Sequence, residues 1–256
     1  MNADWHFPNA ATPPGSAAYY LVRFARADER NHLAAWLAWF DLLENMVRRA
    51  SDPGVTRLKL DWWREEIERL AHGEVQHPLS RVLAPWTRSS DCRPLMLRAL
   101  DATEQRIMQR APDNLEDFHR QCRDEQASRL YLLAGSTKET PAIEALGCYL
   151  GTVARLQRLG EDLQRHHRTL PHEFAIPGIE QLLQDRRLGT PGISLLQAAE
   201  DGLDREAALD YPLRALLAQH RRTARLLRRH DFPTDRLLHP SPLGLLWDAW
   251  RASHQP

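Results

Sequence analysis

Apolar residues in this chain recur at intervals of three and four, and no stretch strings β-branched residues together at a period of two. From Asp28 onward Leu33, Trp36, Leu37, Phe40, Leu43 and Val47 mark one face of an amphipathic helix. Ser51-Asp52-Pro53-Gly54 interrupts that pattern, Leu60, Trp63, Ile67 and Leu70 resume it, and Gly73 ends it. Ser16 is placed to cap an earlier helix running to Phe24. Downstream, Leu115, Phe118, Cys122, Leu130 and Leu133 mark a helix closed near Gly135, and Ile143, Leu146, Leu150, Val153 and Leu156 line the next, towards Gly160. A basic amphipathic stretch covers about 205–230 and a short Trp-bearing helix 242–252. Valine and isoleucine are scarce while leucine, alanine and arginine are abundant, a composition that favours helix over strand. The expectation is one all-α domain over 16–256, preceded by a flexible Pro-rich arm over 1–15.

A chain of 256 residues can bury a sizeable core, and 43% hydrophobic with 27% charged residues excludes a disordered chain. Lys+Arg and Asp+Glu are both 34, and zero net charge argues against a nucleic-acid partner. Cys92, Cys122 and Cys148 are odd in number and widely spaced, which gives no disulfide framework or zinc site and points to a cytoplasmic setting. The longest apolar run, Leu33 to Phe40, is too short to span a bilayer; peripheral membrane contact stays open. A Gly-rich phosphate loop, H-E-x-x-H and G-x-S-x-G are all missing. His166, His167 and His172 read as a solvated loop rather than a metal site. Trp62-Trp63 reads as core plus interface. Arg221, Arg222, Arg225, Arg228 and Arg229 read as a solvated helix face, or as a surface for anionic lipid, phosphate or an acidic partner.

Several segments carry a family likeness. Ala38-Trp39 follows Arg30 at a characteristic distance. Leu60-Asp-Trp-Trp-Arg-Glu-Glu-Ile67 leads to Gly73 and His77-Pro78. Leu146-Gly147 leads through Leu156 to Gly160-Glu161-Asp162 and Leu170-Pro171. Over roughly 16–175 this resembles the squalene/phytoene synthase family. The resemblance implies an isoprenoid-synthase helical bundle around a central cavity, in which two prenyl diphosphates are joined head to head. It further implies Mg²⁺ ions held by aspartates spaced by four on two facing helices, a spacing that puts the carboxylates on one face. The metal neutralises the leaving diphosphate, and apolar helix faces shield the carbocation from water.

The chain departs from that pattern at the acidic motifs. The first falls at Glu44-Asn45-Met46-Val47-Arg48, where only Glu44 keeps a carboxylate and Arg48 stands in place of the second acid. The second spans Ala154, Arg158 and Asp162: Ala154 replaces the family's asparagine, Arg158 replaces its first aspartate, and Glu161 and Asp162 survive. Glu44 with Arg48, and Arg158 with Asp162, are four apart and are expected to pair along their own helices. A fixed cation in the metal's place opposes the metal. Three readings follow. The first is a non-catalytic member, nearest in character to the branch with degenerate aspartate motifs that includes the mitochondrial complex I assembly factor. It would act through protein or membrane contacts, or by holding an isoprenoid. The second is an active prenyl transferase, with Mg²⁺ on Glu44, Glu161 and Asp162, and Arg30 and Arg158 binding diphosphate. The third is a helical interaction module with its cavity filled. No residue is assigned a catalytic role, and no cofactor follows beyond Mg²⁺ in the active reading.

Overall fold

Short polar side chains open five of the helices in the computed structural model, which describes residues 5–48, 52–89, 92–108, 110–138, 140–165, 167–174, 178–203 and 209–255. Ser16 accepts from the Tyr19 N–H at the start of α1 (Ala17–Arg23). α2 (Arg30–Arg48) follows. Asp52 caps α3 (Pro53–His72), and Gly73, at φ 81°, closes it in the left-handed conformation that costs glycine least. α4 (Pro78–Ser89) and α5 (Arg93–Ile107) come next. Asn114 opens α6 (Leu115–Ala134), Thr140 opens α7 (Pro141–Gln164) and Ser241 opens the last helix, α11 (Pro242–Ser253). Between these lie α8 (Gly178–Asp185), α9 (Thr190–Asp201) and α10 (Leu213–Arg229). The described residues contain no strand, only an isolated bridge between Arg187 and Pro233. The all-α expectation therefore holds. No helix among the described residues is long and apolar enough to cross a membrane.

Trp36 and Trp39 of α2, Phe118 and Tyr131 of α6 and Tyr149 of α7 are fully buried at the centre of the bundle. α6 and α7 form its closest pair. At Gly151 a Cβ would lie 2.5 Å from the Cys122 carbonyl oxygen, a separation no side chain tolerates. This glycine lets α7 press against α6 and so sets the charged residues of the two helices against each other. Gly160 does the same for the chain after α10, where a Cβ would lie 2.2 Å from the Thr234 carbonyl oxygen.

Several expectations change. Residues 5–15, expected as a flexible arm, lie against α2. The Asn9 amide donates to the Ala34 carbonyl at 3.0 Å, Thr12 is fully buried, and Trp5 and Phe7 pack on the core. The prolines suggest looseness, but they flank a turn that Asn9 and Thr12 hold closed. α4, α5, α8 and α9 occupy stretches in which no helix was anticipated. Among the described residues of the basic stretch expected from about 205, the helix begins at Leu213, after Pro212. Positions 1–4, 205–208, Ser51 and His166 lie outside the described residues.

Candidate functional site

The family-like segment on α3 turns out to be a structural clasp. Glu66 is 1% exposed and accepts from the backbone N–H groups of Gln76 (3.0 Å) and His77 (2.8 Å). Arg69 pairs with it from one turn further along, Nε to Oε2 at 2.9 Å. Burial pushes the Glu66 carboxyl up, but these donors outweigh it and leave it below the ordinary range. Trp63 is buried against His77 and Trp39. Trp62 is partly buried with Arg69 over its ring. These residues fix the turn from α3 into α4 and take no part in the central charge cluster.

That cluster is built from α2, α5, α6 and α7. Glu44 of α2 sits between two arginines. Arg106 of α5 reaches it at 2.7 and 3.3 Å, and Arg158 of α7 pairs with it directly. Behind them Glu125 of α6 pairs with Arg155 of α7, the two side chains being 7% and 9% exposed. Arg155 also donates to the side-chain amide oxygen (Oε1) of Gln121 at 3.2 Å, and Arg106 approaches Glu125 at 3.9 Å. The result is a partition of alternating charge across the bundle.

The partition sets the electrostatics. Burial pushes the Glu44 carboxyl up, but Arg106 and Arg158 outweigh it and hold the group at about 2. Glu125 is likewise held below its ordinary value, burial being outweighed by Arg155 and Arg106. Asp162 goes the other way: burial raises it, and the nearby Arg158 only partly offsets that. Arg129 of α6 lies with its guanidinium 5.7 Å from the Phe40 ring, and burial lowers its pKa.

Two cavities flank the partition, and Ala102, Arg106, Glu125 and Arg158 line both. One, of about 340 Å³, is strongly charged, with Arg98, Arg120 and Arg168 facing Asp117, Asp124 and Asp162. The other, of about 280 Å³, joins Glu44, Arg129 and His220 to an apolar wall of Leu37, Phe40, Ala18 and Ala154. Burial lowers His220 to about 4, so it is neutral at pH 7.

The candidates found in the sequence are thus divided. Glu44, Ala154 and Arg158 meet at the second cavity, and Asp162 opens on the first. Glu161 lines neither, lying about 100° round the helix from Asp162. Arg48 is exposed, and Asn45 donates back to Asp41 at 2.9 Å. Arg30, at the start of α2, donates to the Ala25 carbonyl at 3.2 Å and lines neither cavity. The pairing along each helix gives way to pairing between helices, because Glu44 faces Arg106 and Arg158 while Arg48 points to solvent. Arg106, Glu125, Arg129 and Arg155 were not anticipated. The available signal was a charge placed among buried positions, as Arg155 is between Val153 and Leu156.

Mg²⁺ takes hard oxygen ligands in a near-octahedral shell. Here both oxygens of Glu44 accept from guanidiniums, and of the second motif's two acids Asp162 opens on the other cavity while Glu161 lines neither. Among the described residues no three His, Cys, Asp or Glu side chains come together to hold a metal ion. The donor set does not fit the metal that the acidic motifs of the family likeness imply.

A family model described as squalene/phytoene synthase matches residues 12–245. Two solved structures share the fold. A dehydrosqualene synthase in complex with ligand superposes with a TM-score of 0.72 at 16% identity, covering 91% of this chain and 90% of that one. The squalene synthase HpnC from Alicyclobacillus acidocaldarius superposes with a TM-score of 0.68 at 18% identity, covering 87% and 92%. No curated protein matches the chain.

Proposed function

Since the chain belongs to the squalene/phytoene synthase family, its chemistry turns on what it keeps of that family's acidic motifs, and we propose that it holds a single isoprenoid without Mg²⁺-dependent ionisation of a diphosphate. One observation carries this reading: the Glu44 carboxylate is enclosed by Arg106 and Arg158, so the position that would receive a metal is filled by the protein's own cations. The size of the second cavity supports it: at about 280 Å³ it suits one small ligand. In this reading the apolar wall of the second cavity takes the chain, and Arg129 faces its polar end. It places the protein in character with the family branch whose aspartate motifs are degenerate, acting through protein or membrane contacts.

A second reading, an active prenyl transferase, is favoured by Asp162. This partly buried carboxylate lines the charged cavity, where one metal ion could reach it. The open cavities weigh against a helical module with a filled interior.

The test is the melting temperature with farnesyl or geranylgeranyl diphosphate, with and without Mg²⁺, followed by product extraction. A ligand that binds the folded state raises Tm by mass action. The proposed reading expects a shift that does not need Mg²⁺ and no hydrocarbon product. A Mg²⁺-dependent shift with product would establish the transferase instead, and no shift in either condition would remove isoprenoid binding.

A further inference from the structure

The helix α11 turns three large apolar side chains outward. Leu243, Trp247 and Trp250 are 77%, 53% and 38% exposed. Their spacing of four and three puts them on one stripe, opposite the buried Leu245, Ala249 and Ala252. The two indoles lie 5.0 Å apart, centre to centre. An exposed stripe of two tryptophans and a leucine on one short helix is far from the scattered single apolar residues of an ordinary surface.

The helix packed beside it is cationic. α10 carries Arg214, Arg221, Arg222, Arg225, Arg228 and Arg229 and no acidic residue, in a chain whose formal charge is zero. Arg222 bridges to α11 through Asp248 (2.6 and 2.8 Å), and Arg228 pairs with Glu200. Arg221, Arg225 and Arg229 are exposed in a row four residues apart, and Arg251 is exposed on α11 itself. None of these four has a carboxylate partner among the described residues.

From this pairing of an indole-bearing stripe with unneutralised guanidiniums we propose that α10 and α11 form a docking surface for an anionic lipid bilayer. Indoles are amphipathic and settle at the headgroup level, and arginines beside them meet lipid phosphates. The charge also argues against a second copy of the chain as the occupant. A two-fold contact over this surface would set two arginine-rich faces against each other, and α10 carries no acidic residue to offset them. This surface lies outside both cavities, so the proposal stands whether or not an isoprenoid binds there.

The experiment is co-sedimentation of the full chain with phosphatidylcholine vesicles, with and without phosphatidylglycerol, at low and raised salt. Trp247→Ala with Trp250→Ala, and separately Arg225→Glu with Arg229→Glu, are compared with the parent after circular dichroism confirms their fold. All four positions are exposed and should leave the fold intact. Binding is expected only with the anionic lipid, weakening as salt rises, and each double variant should reduce it about tenfold or more. Four results would overturn the proposal: no binding to anionic vesicles, equal binding to neutral ones, retention by either double variant, or sedimentation showing that the tryptophan stripe pairs two chains in solution.

Discussion

Replacing Glu44 by glutamine keeps the side chain's shape and removes the charge that Arg106 and Arg158 enclose. The size of the effect follows from the carboxyl itself. It sits at about 2 in the fold against an ordinary 4.5. At about 1.4 kcal/mol per tenfold, that difference amounts to about 3 kcal/mol of folding stability at neutral pH. The side chain is 26% exposed, so solvent screening brings the expectation to about 2–3 kcal/mol. Glu44 ionises more readily folded than unfolded. Its contribution is therefore complete above the ordinary value and is lost as pH falls towards 2. About a quarter should be gone by pH 4 and more than half by pH 3. Urea denaturation of the parent and Glu44→Gln at pH 7, 4 and 3 measures this directly. The variant should lose about 2–3 kcal/mol at pH 7, with the gap narrowing on acidification. A variant as stable as the parent at pH 7, or a gap that stays constant as pH falls, would refute the idea that the two guanidiniums hold this carboxylate.

Two further variants probe the same architecture. Arg48→Asp with Arg158→Asp returns acids to both motifs. Removing a guanidinium about 7 Å from a divalent ion relieves on the order of 4–5 kcal/mol at an effective dielectric of about 20. Because Arg106 remains, the expected gain in Mg²⁺ affinity is at least about tenfold, and calorimetry showing no gain would count against the placement of the two motifs. Glu66→Ala strips the buried clasp between α3 and α4 of the acceptor for two backbone N–H groups and leaves Arg69 without its buried partner. It should cost about 2–4 kcal/mol in urea denaturation while leaving the Tm shift on adding a prenyl diphosphate unchanged; a variant of parental stability would show the clasp to be dispensable.

The sequence was most legible where a helix keeps one unbroken apolar face, as in α2, α3, α6 and α7. It was least legible where charges sit within the buried pattern. α5 buries Leu95, Met96, Ala99 and Leu100 but also places Arg98 and Arg106 among the cavity-lining positions, so its period is broken for any reader of spacing. α4 contains Pro85, which reads as a stop. The central cluster was half visible. Glu44, Arg158 and Asp162 emerged from a motif comparison, whereas Arg106 pairs with an acid 62 positions away and Arg155 with one 30 away. Spacing along a helix proposes partners at four residues and contains no term for a second helix pressed close by Gly151. The pairing expected for Glu44 along its own helix therefore gives way to pairing with α5 and α7.

The alternating partition also bears on what the protein needs in order to fold. In the arrangement that the family likeness implies, carboxylates on facing helices approach one another and repel until a metal arrives. Here the neutralising charge is covalently part of the chain. Arg155 reaches Glu125 where both side chains are nearly buried, while Arg106 and Arg158 flank the more exposed Glu44. Breaking a buried pair typically costs several kcal/mol, because one charge is left stranded. The three arginines are therefore structural first: their removal endangers the bundle whatever the ligand. Arg129 differs. It lines the second cavity near Phe40, and among the described residues its compensation is the field of Glu44 and Asp41 rather than a bonded carboxylate. A cation in that setting gains more from an arriving anion than one already paired, so on the isoprenoid-holding reading proposed above ligand recognition would fall to Arg129 and fold integrity to the three paired arginines.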